Sequence, residues 1–494
     1  MNDIVTIPPR IGRTTHFIDG RWSASGGRSF PVFNPYNDDI VAEIAAGGRD
    51  EAEAAVAAAH AAFPSWAAMT PGERQILFLR AADVIDRRAE DIVGIMAVET
   101  GASRAFAMLQ IRWSSNLIRQ AAGWGYLPYG DVLRSDVPGR FAMVTRKPLG
   151  VVAGFTPWNG AFNLAWRTAI LPMAFGNTVV IKPSEEAPMS AGLLHAEILE
   201  EAGFPPGVIN VVTHAPGDAA HVADVFFESR AVRCINFTGS DATARILGAR
   251  AGQALKRSVM ELGGYNPLLV LDDADVDDAV NAAVFGAFFH QGQICMNTRK
   301  VLIEQPLHDA FVEKLTVRTR ALKSGDPRLP ETIVGPLIND RAVKAATDRV
   351  RDAVERGGRV VTGGTAVGRV FAPTILTHVP RDAMVADQRH ETFGPVLVVE
   401  AVASAEEALT RAQATPYGLS AAIMTGNQSR GLDLAQRFDT GIVHVNASTM
   451  GAEPSLPNGG VKDSGWGRSG HYSIEDFTEI RLTTLTRGAA RYPF

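Results

Sequence analysis

The chain has 494 residues, too many for one compact core, so two or three domains are expected. Hydrophobic residues make up 46% and charged residues 20%, with a net charge of −5, a balance that suits a soluble globular enzyme and excludes the basic footprint of a nucleic-acid or anionic-membrane binder. Cys234 and Cys295 are the two cysteines, which excludes a disulfide framework and a thiolate metal cluster; no metal is expected, and a reactive thiol suits a reducing cytoplasm.

The N-terminus, MNDIVTIPPRIG, lacks the apolar stretch of a secretory signal. No run approaches the roughly 18 apolar residues of a membrane span. Residues 16–33 alternate around glycines and predict a small hairpin. From Asp50 to about Gly123 the chain is rich in alanine and charge at helical spacing, and three helices are expected. Thr70-Pro71-Gly72-Glu73 marks a helix start, with a capping residue, a proline at the first helical position and an acid soon after.

The texture changes at Phe141. Short β-branched runs at 150–155, 178–183, 208–212, 234–239 and 267–271 alternate with helical segments, notably 187–202 and 241–255. Buried strands alternating with helices predict an α/β fold with a doubly wound parallel sheet. A second α/β series runs from Asp275 to about Val445, with strands near 299–304, 396–401 and 442–446. The segment after Glu453 is glycine-rich and reads as loop, and the terminal LTTLTR as a strand that pairs with another segment or subunit.

Cys295 lies just beyond a helix predicted over 276–291, in the string HQGQICM. A cysteine among apolar residues is commonly buried and inert; one at an element junction beside glycine is also where a reactive thiol is placed. Glu261, in MELGGYNP, follows a helix in this reading. It either caps a turn or, desolvated between Met260 and Leu262, has the raised pKa of a general base. Asn159 follows the strand 150–155 in TPWN, at the carboxyl end where open α/β sheets place ligands. Its amide serves either the turn or a developing oxyanion. Gly239 and Ser240 precede a helix, where they serve either as its cap, the commoner role, or as an N-terminus that binds phosphate. Lys182, Ser184 and Glu185 end another strand; with Glu186 beside them they form either a solvated charged loop or a site where a carboxylate grips the ribose hydroxyls of NAD and repels the 2′-phosphate of NADP.

These strings together resemble the aldehyde dehydrogenase superfamily, from about His16 to Leu485. The shared motifs are TPWN, KPSE, FTGS, ELGG, GQIC, ETFGPV and GGVKDSGWGR, in that order. The resemblance implies a Rossmann-type NAD-binding domain at 1–123 and 147–262, to which 453–480 returns. It also implies a catalytic domain at 263–452 and a small β oligomerisation arm at 124–146 and 481–494, with a homodimer or homotetramer as the assembly. Cys295 would be the nucleophile and Glu261 the base that activates water. Asn159, with the Cys295 backbone N–H, would hold the oxyanion. Thr156, Pro157, Trp158, Lys182, Ser184, Glu185, Gly239, Ser240, Leu262, Glu391 and Phe393 would contact the cofactor.

Four positions depart from the family pattern: Tyr265 replaces the lysine after ELGG, His290 an asparagine, Gly160-Ala161 a phenylalanine-proline, and Ala244 a glycine. The strings NVVTHAP, HQGQICM and VNAST followed by EPSLP, with Arg167, resemble the branch that oxidises aromatic aldehydes. Phe162, Trp166, Arg167, Met296 and Met450 would then line the substrate tunnel, unless they are ordinary core. Arg167 also suits a carboxylated semialdehyde or a buried ion pair. The competing readings are an aliphatic or semialdehyde enzyme, a CoA-acylating relative and a non-catalytic binding protein on the same fold.

Overall fold

The computed structural model describes residues 12–24, 27–389, 391–488 and 492–494. The N-terminal stretch 1–11 and residues 489–491 of the expected arm lie outside the described residues. Among the described residues no helix is long and apolar enough to cross a membrane.

Two large sheets dominate. The first has eight strands, and its five central members, Ile209–Val211, Thr178–Pro183, Val151–Thr156, Val232–Thr238 and Arg257–Glu261, run parallel. Val151–Thr156 and Thr178–Pro183 are buried at every residue, which is why their sequences are continuous apolar runs without alternation. The second sheet has seven strands, with Lys300–Glu304 and Pro267–Val270 at its centre; only its edge strand Arg359–Thr362 is antiparallel. The chain leaves the first sheet after Glu261 and enters the second at Pro267.

It also comes back. Gly465–Trp466 pairs antiparallel with Arg257–Glu261, setting Gly465 opposite Glu261. Gly465 has φ 96°, and a Cβ there would run into the Met260 carbonyl, so the return strand requires glycine. A third, antiparallel sheet joins Gly130–Leu133, Arg140–Pro148 and Thr478–Thr486. It exposes Val132, Phe141, Ile480, Leu482 and Leu485.

Several sequence expectations change. His16–Ile18 and Arg21–Ser23 form a hairpin closed by Asp19 and Gly20, both at positive φ, but Ser29–Phe33 belongs to a separate ribbon with Ile40–Ala45. The helical region holds four helices, Arg49–Ala68, Pro71–Arg87, Ala89–Thr100 and Arg104–Ala121, because the chain breaks at Arg88. The start at Thr70 is as expected: its hydroxyl accepts from Glu73 N, while the Glu73 carboxylate accepts the Thr70 N–H at 2.9 Å. Glu261 does not follow a helix. The helix Asp241–Gln253 ends first, Leu255 turns the chain at φ 53°, and Glu261 closes a strand. The strand Ser420–Met424, sequence SAAIM, carries too little β-branched signal to be seen in advance.

Candidate active site

The helix Val276–Phe288 starts on Asp275, whose carboxylate accepts Asp277 N and Asp278 N at 2.8 and 3.0 Å. It ends before His290 and Gln291, which stand at φ 49° and 54°. Non-glycine residues at positive φ cost free energy and persist where their surroundings hold them. Gln291 Nε2 donates to the carbonyls of Gly101 and Pro336, and the His290 ring stacks on Phe106 at 4.0 Å. Gly292, at φ 68°, passes so close to the Gly394 carbonyl that a side chain would not fit. On the far side Asn297 Nδ2 donates to the carbonyls of Gly286 and Ala287 at 2.8 Å. Cys295 is thus presented from a loop pinned at both ends. Its half-buried thiol opens on a cavity, whereas Cys234 is fully buried. Burial, then Glu391 and Glu261, push the Cys295 thiol up to about 12, so it is protonated at neutral pH until a base takes the proton.

Glu261 opens on the same cavity. Burial pushes its carboxyl up to about 7, while Arg167 and Arg468 pull it down and Asp476 adds to the rise. Arg167, from the helix Ala161–Ala174, forms an ion pair with Glu261 Oε1, the buried-pair alternative raised by the sequence. Asn159 completes the set. It is buried, and its Nδ2 donates to the Gln293 carbonyl at 3.0 Å, two residues before the thiol.

The cavity measures about 660 Å³. Arg167, Met296 and Met450 line it, but Phe162 and Trp166 do not: both are fully buried, packed with His195 on the opposite face of their helix. The reason is phase. Asn163 and Arg167 share the cavity face, so Phe162 and Trp166, one residue earlier in each pair, turn into the core. The missed walls come from the helix Arg104–Ala121, through Phe106, Leu109, Trp113 and Asn116, and from Phe285 and Phe289. The spacing of 106, 109, 113 and 116 is one helical face, a signal present in the sequence but unassigned there.

The remaining candidates gather beyond the first sheet's carboxyl edge. Lys182 is buried, and its Nζ lies 2.6 Å from His214 Nε2 and 3.4 Å from the Pro183 carbonyl; burial lowers it to about 8. Glu185 stays partly exposed, 3.9 Å from His214. Thr156 Oγ1 donates to the Ala191 carbonyl, and Ser184 N donates to the Thr156 carbonyl at 3.0 Å. Ser240 caps the helix Asp241–Gln253, and Gly239 N donates to the Glu261 carbonyl at 3.1 Å. Leu262 is buried, its N–H on the Ser464 carbonyl. Glu391 accepts from Gly264 N at 3.1 Å and Arg299 Nη2 at 2.7 Å. Phe393 meets Trp158 edge-on at 5.6 Å, and both, with Glu391, line a second cavity of about 310 Å³. Among the described residues no cluster suits a metal ion.

Residues 22–483 match the aldehyde dehydrogenase family model. The chain belongs to the aldehyde dehydrogenase family. It is 43% identical to a vanillin dehydrogenase of Pseudomonas fluorescens, over 95% of this chain and 97% of that protein. A benzaldehyde dehydrogenase [NAD(+)] of Pseudomonas putida is 36% identical, with 97% of each chain covered. The fold superposes with a TM-score of 0.95 on a salicylaldehyde dehydrogenase from Pseudomonas putida G7 complexed with salicylaldehyde, at 36% identity, covering 98% of this chain and 100% of that one. This aldehyde dehydrogenase is therefore an oxidoreductase acting on aldehydes, in a family that uses NAD(P).

Proposed function

We propose that this enzyme oxidises an aromatic aldehyde to its carboxylic acid with NAD as oxidant. The observation that carries the reading is the 660 Å³ cavity in which Cys295, Glu261 and Asn159 meet walls of Phe106, Trp113, Phe285, Phe289, Met296 and Met450. Flat apolar rings suit such walls, and the polar groups cluster where a carbonyl would sit.

The chemistry follows from these groups. Glu261, held near neutrality, takes the Cys295 proton, and the thiolate attacks the aldehyde carbon to give a thiohemiacetal. Asn159 Nδ2 and the Cys295 N–H donate to the oxyanion; one such donor is worth about 3–4 kcal/mol. When bound, NAD supplies a hydride acceptor. Glu261 passes the Cys295 proton to solvent, and the acyl thioester on Cys295 is then hydrolysed by a water whose proton passes to the freed carboxylate, with the Cys295 thiolate expelled and the acid released.

The residues present fit NAD. A buried ammonium on Lys182 beside the Glu185 carboxylate suits ribose hydroxyls and disfavours a 2′-phosphate, and the capped helix N-terminus at Ser240 suits a pyrophosphate. Glu391 and Phe393, with Thr156, Pro157, Trp158, Ser184, Gly239 and Leu262, would hold the nicotinamide end and the backbone path to it. In this reading the first sheet is the cofactor domain and the second the catalytic domain. The exposed apolar strands of the third sheet are the arm of a homodimer or homotetramer, working in the cytoplasm. Glu261 counts against a CoA-acylating role, because water activation is then available in the site. Titrating NAD and NADP into the protein while following NADH or NADPH formation with benzaldehyde tests the reading; preference for NADP would overturn the cofactor assignment.

A further inference from the structure

Arg167 is the half-buried guanidinium on the wall of an otherwise largely apolar cavity, which Arg112 joins from an exposed position. Its side chain is 13% exposed, and its sole ion-pair partner among the described residues is Glu261. The pairing is close, and the guanidinium pulls the Glu261 carboxyl down against the rise that burial causes. A carboxylate paired to arginine is a weaker base than a free one, since the cation favours the charged form. A guanidinium carries five donors, and a single carboxylate oxygen leaves most of them unused toward the cavity.

We infer that Arg167 is a latch on the general base, released by an oxygen substituent on the substrate ring. With a substrate that lacks such a substituent the guanidinium stays paired with Glu261. A hydroxyl, phenolate or carboxylate on the ring draws the guanidinium off, and Glu261 is freed to take the proton of the hydrolytic water. Arg167 thus acts as a positioning residue, and the substrate class narrows to aromatic aldehydes bearing a polar oxygen group. The inference rests on Cys295 and Glu261 as nucleophile and base. The charged groups facing Glu261 are Arg167 from its helix and Arg468 and Asp476 from the returning C-terminal segment, and the Cys295 thiol is the titratable neutral group beside them.

The test compares wild type with Arg167→Gln and Arg167→Lys in two assays. The first is hydrolysis of p-nitrophenyl acetate. The Cys295 thiolate attacks the ester carbonyl and expels p-nitrophenolate; water then cleaves the acetyl thioester, its proton passing through Glu261 to the released thiolate. This arm needs neither NAD nor an aromatic aldehyde, so it decides the latch even where the aldehyde panel rules out aromatic substrates. In Arg167→Gln the acid limb of the deacylation rate moves to higher pH and the alkaline plateau rises, because an unpaired Glu261 is the stronger base. Arg167→Lys, which keeps the charge, stays near wild type. The second assay takes kcat/KM for the three hydroxybenzaldehyde isomers relative to benzaldehyde. At least one isomer is favoured by wild type about tenfold, the worth of one charge-assisted hydrogen bond, and Arg167→Gln erases that preference. A structural role alone would lower all rates at every pH without moving the limb or the ratio. Either an unmoved acid limb or an unchanged ratio overturns the latch.

Discussion

Asn266 Nδ2 donates to the Cys295 carbonyl at 2.7 Å and to the Asn297 carbonyl at 3.0 Å, while its Oδ1 accepts from Ser420 N at 3.2 Å. One buried amide therefore ties the nucleophile loop to the strand Ser420–Met424 from the turn that separates the two large sheets. Asn266 itself stands at φ 49°, a conformation asparagine tolerates better than most residues.

Replacing it removes all three bonds. At about 1 kcal/mol for each buried hydrogen bond, Asn266→Ala should lose about 2–4 kcal/mol of stability and slow acylation of the thiol. Urea denaturation with the rate of iodoacetamide labelling at Cys295 checks both; unchanged labelling would mean that the loop is held without Asn266.

The nucleophile is tested by Cys295→Ala. NADH formation falls by about a thousandfold or more, while NAD binding, followed by fluorescence titration, is retained. Cys234, fully buried with its thiol pushed up to about 12, does not substitute for it.

Glu261→Gln mainly slows thioester hydrolysis. With the carboxyl near 7, the wild-type deacylation rate rises as pH climbs through neutrality, because the base form is the ionised one. The Gln variant loses that rise and accumulates acyl-enzyme, visible as added mass on the intact protein. A pH profile identical to wild type would remove Glu261 from the base role.

Core and cavity walls part company in two substitutions. Phe162→Ala should cost about 3–5 kcal/mol of stability, as for a fully buried aromatic. Trp113→Ala should instead raise KM for benzaldehyde relative to hexanal while moving the melting temperature less. Equal stability losses with no change in selectivity would place Trp113 outside the binding wall.

Glu185→Ser tests the cofactor preference. Removing a carboxylate that opposes a 2′-phosphate should raise NADP use relative to NAD by about tenfold or more. An unchanged ratio would move the discrimination elsewhere.

The parallel strands were legible because burial on both faces leaves a continuous β-branched run, as in TVVIKP at 178–183. The groups at their carboxyl ends were legible because the turn residues follow such runs directly. Glu261 was placed after a helix rather than at a strand end, since RSVME mixes charge with short apolar residues and follows a helix closely enough to read as its tail. Phe162 and Trp166 were misread for lack of helical phase: their helix is apolar on nearly all sides, so only Arg167 and Asn163 could have marked the cavity face. The helix Arg104–Ala121 carried the reverse case, a wall whose Phe106, Leu109 and Trp113 looked like any buried stripe. What faced them is set by Phe285 and Phe289, distant in sequence and brought near only by the fold.

The most direct measurement follows NADH absorbance with purified enzyme, NAD and benzaldehyde, vanillin, hexanal or succinic semialdehyde, with and without CoA. The account predicts the highest kcat/KM on the aromatic members and no requirement for CoA. Faster turnover of hexanal or succinic semialdehyde, or turnover only with CoA, would contradict it.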